Sequence, residues 1–121
     1  MSLSVDVDIK KPGVLVISPS GSLDTNTYSI LEKEVDKVLS SSPIIIIFDL
    51  KDLQYISSLG VRVIFKTKKR LKQGNGEFLM INLQPQIKKV FDIINAIPYL
   101  KIFESIEELD SYLDAMQKKE T

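Results

Sequence analysis

Residues 44–61 read Ile44-Ile45-Ile46-Ile47-Phe48-Asp49-Leu50-Lys51-Asp52-Leu53-Gln54-Tyr55-Ile56-Ser57-Ser58-Leu59-Gly60-Val61. The opening run, Ile44 to Phe48, is apolar without a break and rich in β-branched residues. A run of strand length with no polar alternation suits a strand covered on both faces, as in a parallel sheet. The reading is therefore a central strand over 44–50, a short link, and a helix opening near Ser57 and Ser58. That helix is expected to run to about Lys72, with Val61, Ile64, Phe65 and Leu71 turned inward.

Working toward the N-terminus, residues 19–24 read as loop, and Tyr28, Leu31, Val35, Val38 and Leu39 recur at helical spacing. Glu32, Lys33, Glu34 and Lys37 fall on the opposite face of that helix. Thr25, Asn26 and Thr27 are its alternative caps, and the Ser40-Ser41-Ser42-Pro43 stretch ends it. Earlier still, Leu3, Val5, Val7 and Ile9 alternate with polar residues, the period of a half-buried strand. The turn Lys11-Pro12-Gly13 joins it to a second strand over 14–17, so the two form a hairpin.

Toward the C-terminus, Gly74-Asn75-Gly76 is a turn and residues 78–81 a strand. Pro85 stands where a first-turn helix proline belongs, followed by inward Ile87, Val90, Phe91 and Ile94. Residues 95–98 close that helix, and Ile102 and Phe103 make a short strand. Ser105-Ile106-Glu107-Glu108 is a capping box that opens a last helix through Leu109, Leu113 and Met116. The order β-β-α-β-α-β-α-β-α gives a single α/β domain spanning 1–121. It predicts a mixed sheet of about five strands, the first two a hairpin and the rest largely parallel, packed with four helices. Residues 117–121 are expected to fray, and residues 1–3 read in part as a cloning remnant, although Leu3 continues the strand pattern.

Composition narrows function. The chain has 121 residues, 44% hydrophobic and 26% charged, which are globular values. Sixteen basic and sixteen acidic residues cancel, so nothing points to a nucleic-acid partner, which needs a basic surplus. There is no histidine and no cysteine. That removes the cysteine nucleophile, the Ser–His pair and the common zinc and haem sites, and it favours a binding module over an enzyme. The lack of cysteine fits a reducing cytosol. No stretch has the length of a membrane span and the N-terminus lacks signal-peptide regions, so the expectation is a soluble cytoplasmic domain.

Chemistry concentrates at Ser57 and Ser58. A helix start presents unpaired backbone N–H groups and the positive end of the helix dipole. A hydroxyl there is exposed, and a phosphate placed on it is tolerated electrostatically. The plainer alternative is that Ser57 or Ser58 serves only as an N-cap, worth about 1 kcal/mol. Asp24 reads either as a partner contact or as a helix-start residue. Asp49 and Asp52 raise the thought of a Mg²⁺ site, but solvation and capping explain them without a glycine-rich phosphate loop. Lys66, Lys68, Lys69, Arg70 and Lys72 make the second helix basic, as a solvated face or as a patch for an acidic partner.

The segment from Asp49 to Val61 resembles the signature of the anti-sigma factor antagonists of the STAS family. In that signature an Asp-Ser-Ser/Ala-Gly stretch opens a helix after the central strand. Gly21-Ser22-Leu23-Asp24 resembles the family's Gly-x-Leu/Ile-Asp loop. Gln84-Pro85-Gln86-Ile87-Lys88-Lys89-Val90-Phe91-Asp92-Ile93 is similar to its third-helix segment. Order and spacing agree from about residue 3 to residue 116. There are two departures: Ser57 occupies the aspartate position, and Leu59 replaces the small residue before Gly60.

The resemblance implies a STAS-like fold and a protein that catalyses nothing and carries no cofactor or metal. It implies a partner that is both anti-sigma factor, of the histidine-kinase-like ATPase type, and serine kinase. Docking of the unphosphorylated domain would displace a sigma factor and permit transcription. Phosphorylation, aligned with Ser58 and alternatively Ser57, would release the partner. Asp24, Ser57, Ser58, Leu59, Gly60 and Arg62 are the partner-binding residues so implied. A monomer or weak dimer is expected, with no nucleic-acid or membrane partner. Asp24→Ala is expected to weaken binding without lowering the melting temperature. The runner-up is a non-switched STAS scaffold or ligand-binding module, and a carboxylate-dependent enzyme or nucleotide binder ranks below both.

Overall fold

The computed structural model describes residues 2–120, with side chains through Met116. Its strands are β1 (Leu3–Lys11), β2 (Val14–Leu23), β3 (Ile45–Asp49), β4 (Leu53–Ile56), β5 (Glu77–Ile81) and β6 (Lys101–Phe103). Its helices are α1 (Tyr28–Leu39), α2 (Ser58–Gln73), α3 (Pro85–Ile93) and α4 (Ile106–Glu120), with a 3-10 turn at Ile97–Tyr99. The sheet runs β1-β2-β3-β5-β6, with β4 paired to the end of β2. The β1–β2 hairpin is antiparallel and every other pairing is parallel.

The unbroken apolar run does lie at the centre, and the reason is visible in its two faces. Ile46 and Phe48 pack into one core layer with Leu31 and Val35 of α1, Val63 and Ile64 of α2 and Phe91 of α3. Ile45 and Ile47 pack into the other, against Leu109 and Leu113 of α4. A strand with helices on both sides has no face to leave polar. Phe48 also meets Phe78 edge to face, with ring centroids 5.0 Å apart. Such pairs add to the stabilisation from burial alone.

Several local expectations are corrected. The link after β3 is a strand: β4 pairs in parallel with β2, Leu53 opposite Gly21 and Leu23 opposite Ile56, so the sheet has six strands. Residues 19–23 are strand as well, because β2 continues to Leu23 between β1 on one side and β4 on the other. Gly21 makes this possible. Its φ is +106°, and a Cβ there would stand 2.3 Å from the carbonyl oxygen of Ser2. The alternation in β1 is correct, yet Val7 and Ile9 are exposed, Ile9 by 73%. β1 is an edge strand, and only Leu3 and Val5 of that alternating row reach the core.

Other differences are smaller. β3 starts at Ile45, since Ile44 turns outward beside Gly13, accepting no place in the core at 64% exposure. Phe65 is half-buried, and Ile94 is exposed as the residue that caps α3. In the capping box the Glu108 N–H donates to Ser105 Oγ at 3.1 Å. Leu3 pairs with Gly21 and is part of the sheet. The expected frayed tail, 117–121, falls on side chains outside the described residues, as does all of Thr121.

Candidate functional site

Two strand-to-helix joints meet at one end of the sheet. β2 delivers Leu23 to the turn before α1, and β4 delivers Ile56 to the start of α2. Because β2 and β4 run parallel and Leu23 pairs with Ile56 at their ends, both joints leave the sheet at the same end. The Ser57 N–H donates to the Leu23 carbonyl at 2.8 Å and ties the joints together.

Ser57 is the N-cap of α2. Its backbone is extended, and its Oγ accepts a long hydrogen bond from the Gly60 N–H at 3.4 Å. Ser58 is the first helical residue, and its side chain is exposed. Among the described residues no hydrogen bond engages its hydroxyl. The two serines are thereby given different tasks: one closes the helix, and the other faces solvent above the unpaired N–H groups of the first turn. Leu59 is half-buried, and Arg62, one turn beyond Ser58, is exposed. Residues four apart on a helix share a face, so a guanidinium stands on the Ser58 side.

Gly60 is buried beneath this surface. A Cβ there would meet Leu23 Cγ at 2.7 Å and Ile56 Cγ1 at 2.8 Å. The glycine lets the first turn of α2 rest directly on the ends of β2 and β4.

Asp24 lies next to this surface but is partly occupied. Its carboxylate accepts from the N–H groups of Asn26 at 2.9 Å and Thr27 at 3.1 Å. Thr27, which occupies the N-cap position of α1, makes no side-chain cap bond; its hydroxyl donates to the Ser22 carbonyl at 2.7 Å. None of Thr25, Asn26 and Thr27 caps α1 through its side chain; the Asp24 carboxylate instead holds the turn that leads into the helix, and the Asp24 carbonyl accepts from the Tyr28 N–H at 2.9 Å. Asp24→Ala would break the carboxylate's two backbone hydrogen bonds, so a loss of stability is expected beside any loss of binding.

The remaining candidates take structural places. The Asp49 carboxylate accepts from the side-chain amide of Asn82 at 3.1 Å and from the Lys51 N–H at 3.2 Å. Among the described residues no group of three potential metal ligands comes together. Lys66 pairs with Glu32 at 3.5 Å, and Arg70 pairs with Asp36, so these two cations bind α2 to α1. Sequence reasoning missed Tyr55. It is exposed on β4 two residues before Ser57, and the i, i+3 spacing of the flanking Leu53 and Ile56 carries no strand alternation that could have announced it.

A model of the STAS domain matches residues 7–109, which include both joints. The chain belongs to the STAS domain family. BtrV of Bordetella bronchiseptica, named as a candidate anti-sigma factor antagonist, is 32% identical over 103 residues, covering 85% of this chain and 84% of that protein. An anti-sigma factor antagonist from Mycobacterium paratuberculosis has the same fold, with a TM-score of 0.80, 24% identity and coverage of 96% and 95%. The Bacillus cell fate determinant SpoIIAA, in its phosphorylated form, superposes with a TM-score of 0.70 at 19% identity, covering 90% of this chain and 99% of that one.

This STAS domain thus stands among anti-sigma factor antagonists, which are binding proteins and not enzymes. Among the described residues no helix is long and apolar enough to cross a membrane.

Proposed function

We infer that this STAS domain antagonises an anti-sigma factor that is also a serine kinase, and that phosphorylation of Ser58 switches it off. The observation that carries the reading is the exposed, unengaged Ser58 hydroxyl at the first position of α2, beside the Asp24 turn. The unphosphorylated domain docks through Asp24, Ser57, Ser58, Leu59 and Arg62, with Gly60 setting the level of the surface. Docking displaces a sigma factor and permits transcription.

A phosphate on Ser58 adds roughly −1.5 to −2 charges. In the free domain the helix N-terminus and Arg62 accommodate it. Buried against an acidic or apolar partner surface, the same charge costs several kcal/mol and releases the partner. Ser57, which stands at the aspartate position of the family signature that the segment resembles, leaves one negative charge fewer beside that phosphate, so its addition meets less repulsion. It also removes a carboxylate contact to the kinase. This substitution is what favours the second reading, a STAS scaffold that binds without a switch.

The test is incubation of the purified domain with its cognate kinase and ATP, followed by phosphosite mapping and binding assays. Modification at Ser58, constitutive binding by Ser58→Ala and poor binding by Ser58→Glu are the expected results. Modification of Ser57 alone would reassign the residue. If neither serine is modified and Ser58→Glu binds normally, the scaffold reading replaces the switch.

A further inference from the structure

Not all of the basic residues of α2 are used in holding α1. Lys68 and Lys72 point away from the Glu32 and Asp36 pairs, into a cleft between the C-terminal half of α2, the 74–76 turn, the start of β5 and the approach to β6. The cleft measures about 550 Å³, within the range of small-molecule sites. Lys68, Lys72 and Lys101 converge on it from α2 and β6, the Asn75 amide lies at its rim, and Phe78 and the exposed ring of Tyr99 supply apolar surface.

The charges in this cleft do not balance. Lys101 is paired with Glu77 and shares it with Tyr112, whose hydroxyl donates to Glu77 Oε1 at 2.8 Å. Lys68 donates to the backbone carbonyl of Tyr99, which fixes its ammonium over the cleft without neutralising it. Among the described residues neither Lys68 nor Lys72 has a carboxylate partner. Burial, then the neighbouring Lys72 and Lys101, hold the Lys68 ammonium below its ordinary pKa. An anion in the cleft relieves that repulsion.

We propose that this cleft binds a small di- or polyanion bearing phosphate or carboxylate groups, gripped by Lys68 and Lys72 with Lys101 behind them. Lys68 and Lys72, four apart on one helix face, offer two ammonium groups to two negative charges on one ligand. Fourteen residues of helix separate Lys72 from Ser58, roughly 21 Å at 1.5 Å per residue. The cleft is therefore a site distinct from the Ser58 surface.

The test is titration of the ¹⁵N-labelled full chain with pyrophosphate and, separately, citrate, at fixed ionic strength so that general screening is constant. Saturable shifts at the amides of Lys68, Lys72, Asn75, Tyr99 and Lys101 are expected with at least one of the two, and the stronger binder identifies phosphate or carboxylate as the recognised group. The Lys68→Gln/Lys72→Gln variant should bind at least tenfold more weakly, its own spectrum reporting whether it is folded. Should it fail to fold, Lys72→Gln alone serves. Lys88→Gln/Lys89→Gln, on α3 outside the cleft, should bind as the parent does. No saturation with either anion, or equal weakening by the Lys88/Lys89 variant, would overturn the site.

Discussion

The buried face of Gly60 lies against Leu23 so closely that a Cβ would stand 2.7 Å from the leucine's Cγ. Helix α2 begins in direct contact with the end of β2, and the two joints that carry Asp24 and Ser58 are held as one surface. The glycine of the family pattern is here a packing requirement.

Gly60→Ala should therefore destabilise the domain. Alanine gains about 1 kcal/mol of helix propensity, but overpacking against Leu23 and Ile56 costs about 1–3 kcal/mol, and the crowding should prevail because both neighbours are themselves buried. Urea denaturation measures the difference. A variant as stable as the parent would mean that Leu23 gives way freely.

The two serines should separate by stability. Ser57→Ala removes the oxygen that accepts from Gly60 and should cost about 1 kcal/mol, as N-cap deletions do. Ser58→Ala removes an exposed hydroxyl and should stay within about 0.5 kcal/mol of the parent. The same denaturation curves decide it, and equal losses would contradict the assignment of Ser57 as the cap.

Asp24 calls for two substitutions. Asp24→Ala should lose about 0.5–2 kcal/mol through the broken turn. Asp24→Asn keeps an acceptor for the Asn26 and Thr27 N–H groups and should hold most of that stability. If the negative charge contacts the partner, both variants bind it more weakly. Binding lost by the alanine variant alone would make Asp24 purely structural.

Burial in β3 should grade the cost of truncation. Ile47→Ala is expected to lose 2–5 kcal/mol and Phe48→Ala about 3–5 kcal/mol, because both side chains are fully enclosed. Ile44→Ala, one residue before the strand and largely exposed, should change stability by less than about 0.5 kcal/mol. Thermal or urea unfolding of the three variants gives the ordering.

The order of elements other than β4 was legible because burial on both faces leaves a mark in composition. Four isoleucines and a phenylalanine in a row announce β3, and Pro85 and Ser105 announce the starts of α3 and α4. The serines at the start of α2 were legible for the same reason: a cap is a local device, written within four residues. The resemblance to the STAS family then followed from motifs that sit on these local features.

What sequence by itself determined about this protein is its order of strands and helices apart from β4, its central strand and the place of Ser57 and Ser58 at a helix opening. Tertiary structure alone decided that β4 is a strand and that β2 reaches Leu23, since pairing partners lie some thirty residues apart and leave no local period. It decided which serine caps α2, what the Asp24 carboxylate accepts and why Gly60 has no room for a side chain. It left Val7 and Ile9 uncovered despite their alternation, and it brought Lys101 beside Lys68 and Lys72. Each of these is a relation between residues distant in sequence, fixed by which surfaces the chain packs together and not by what any segment prefers alone.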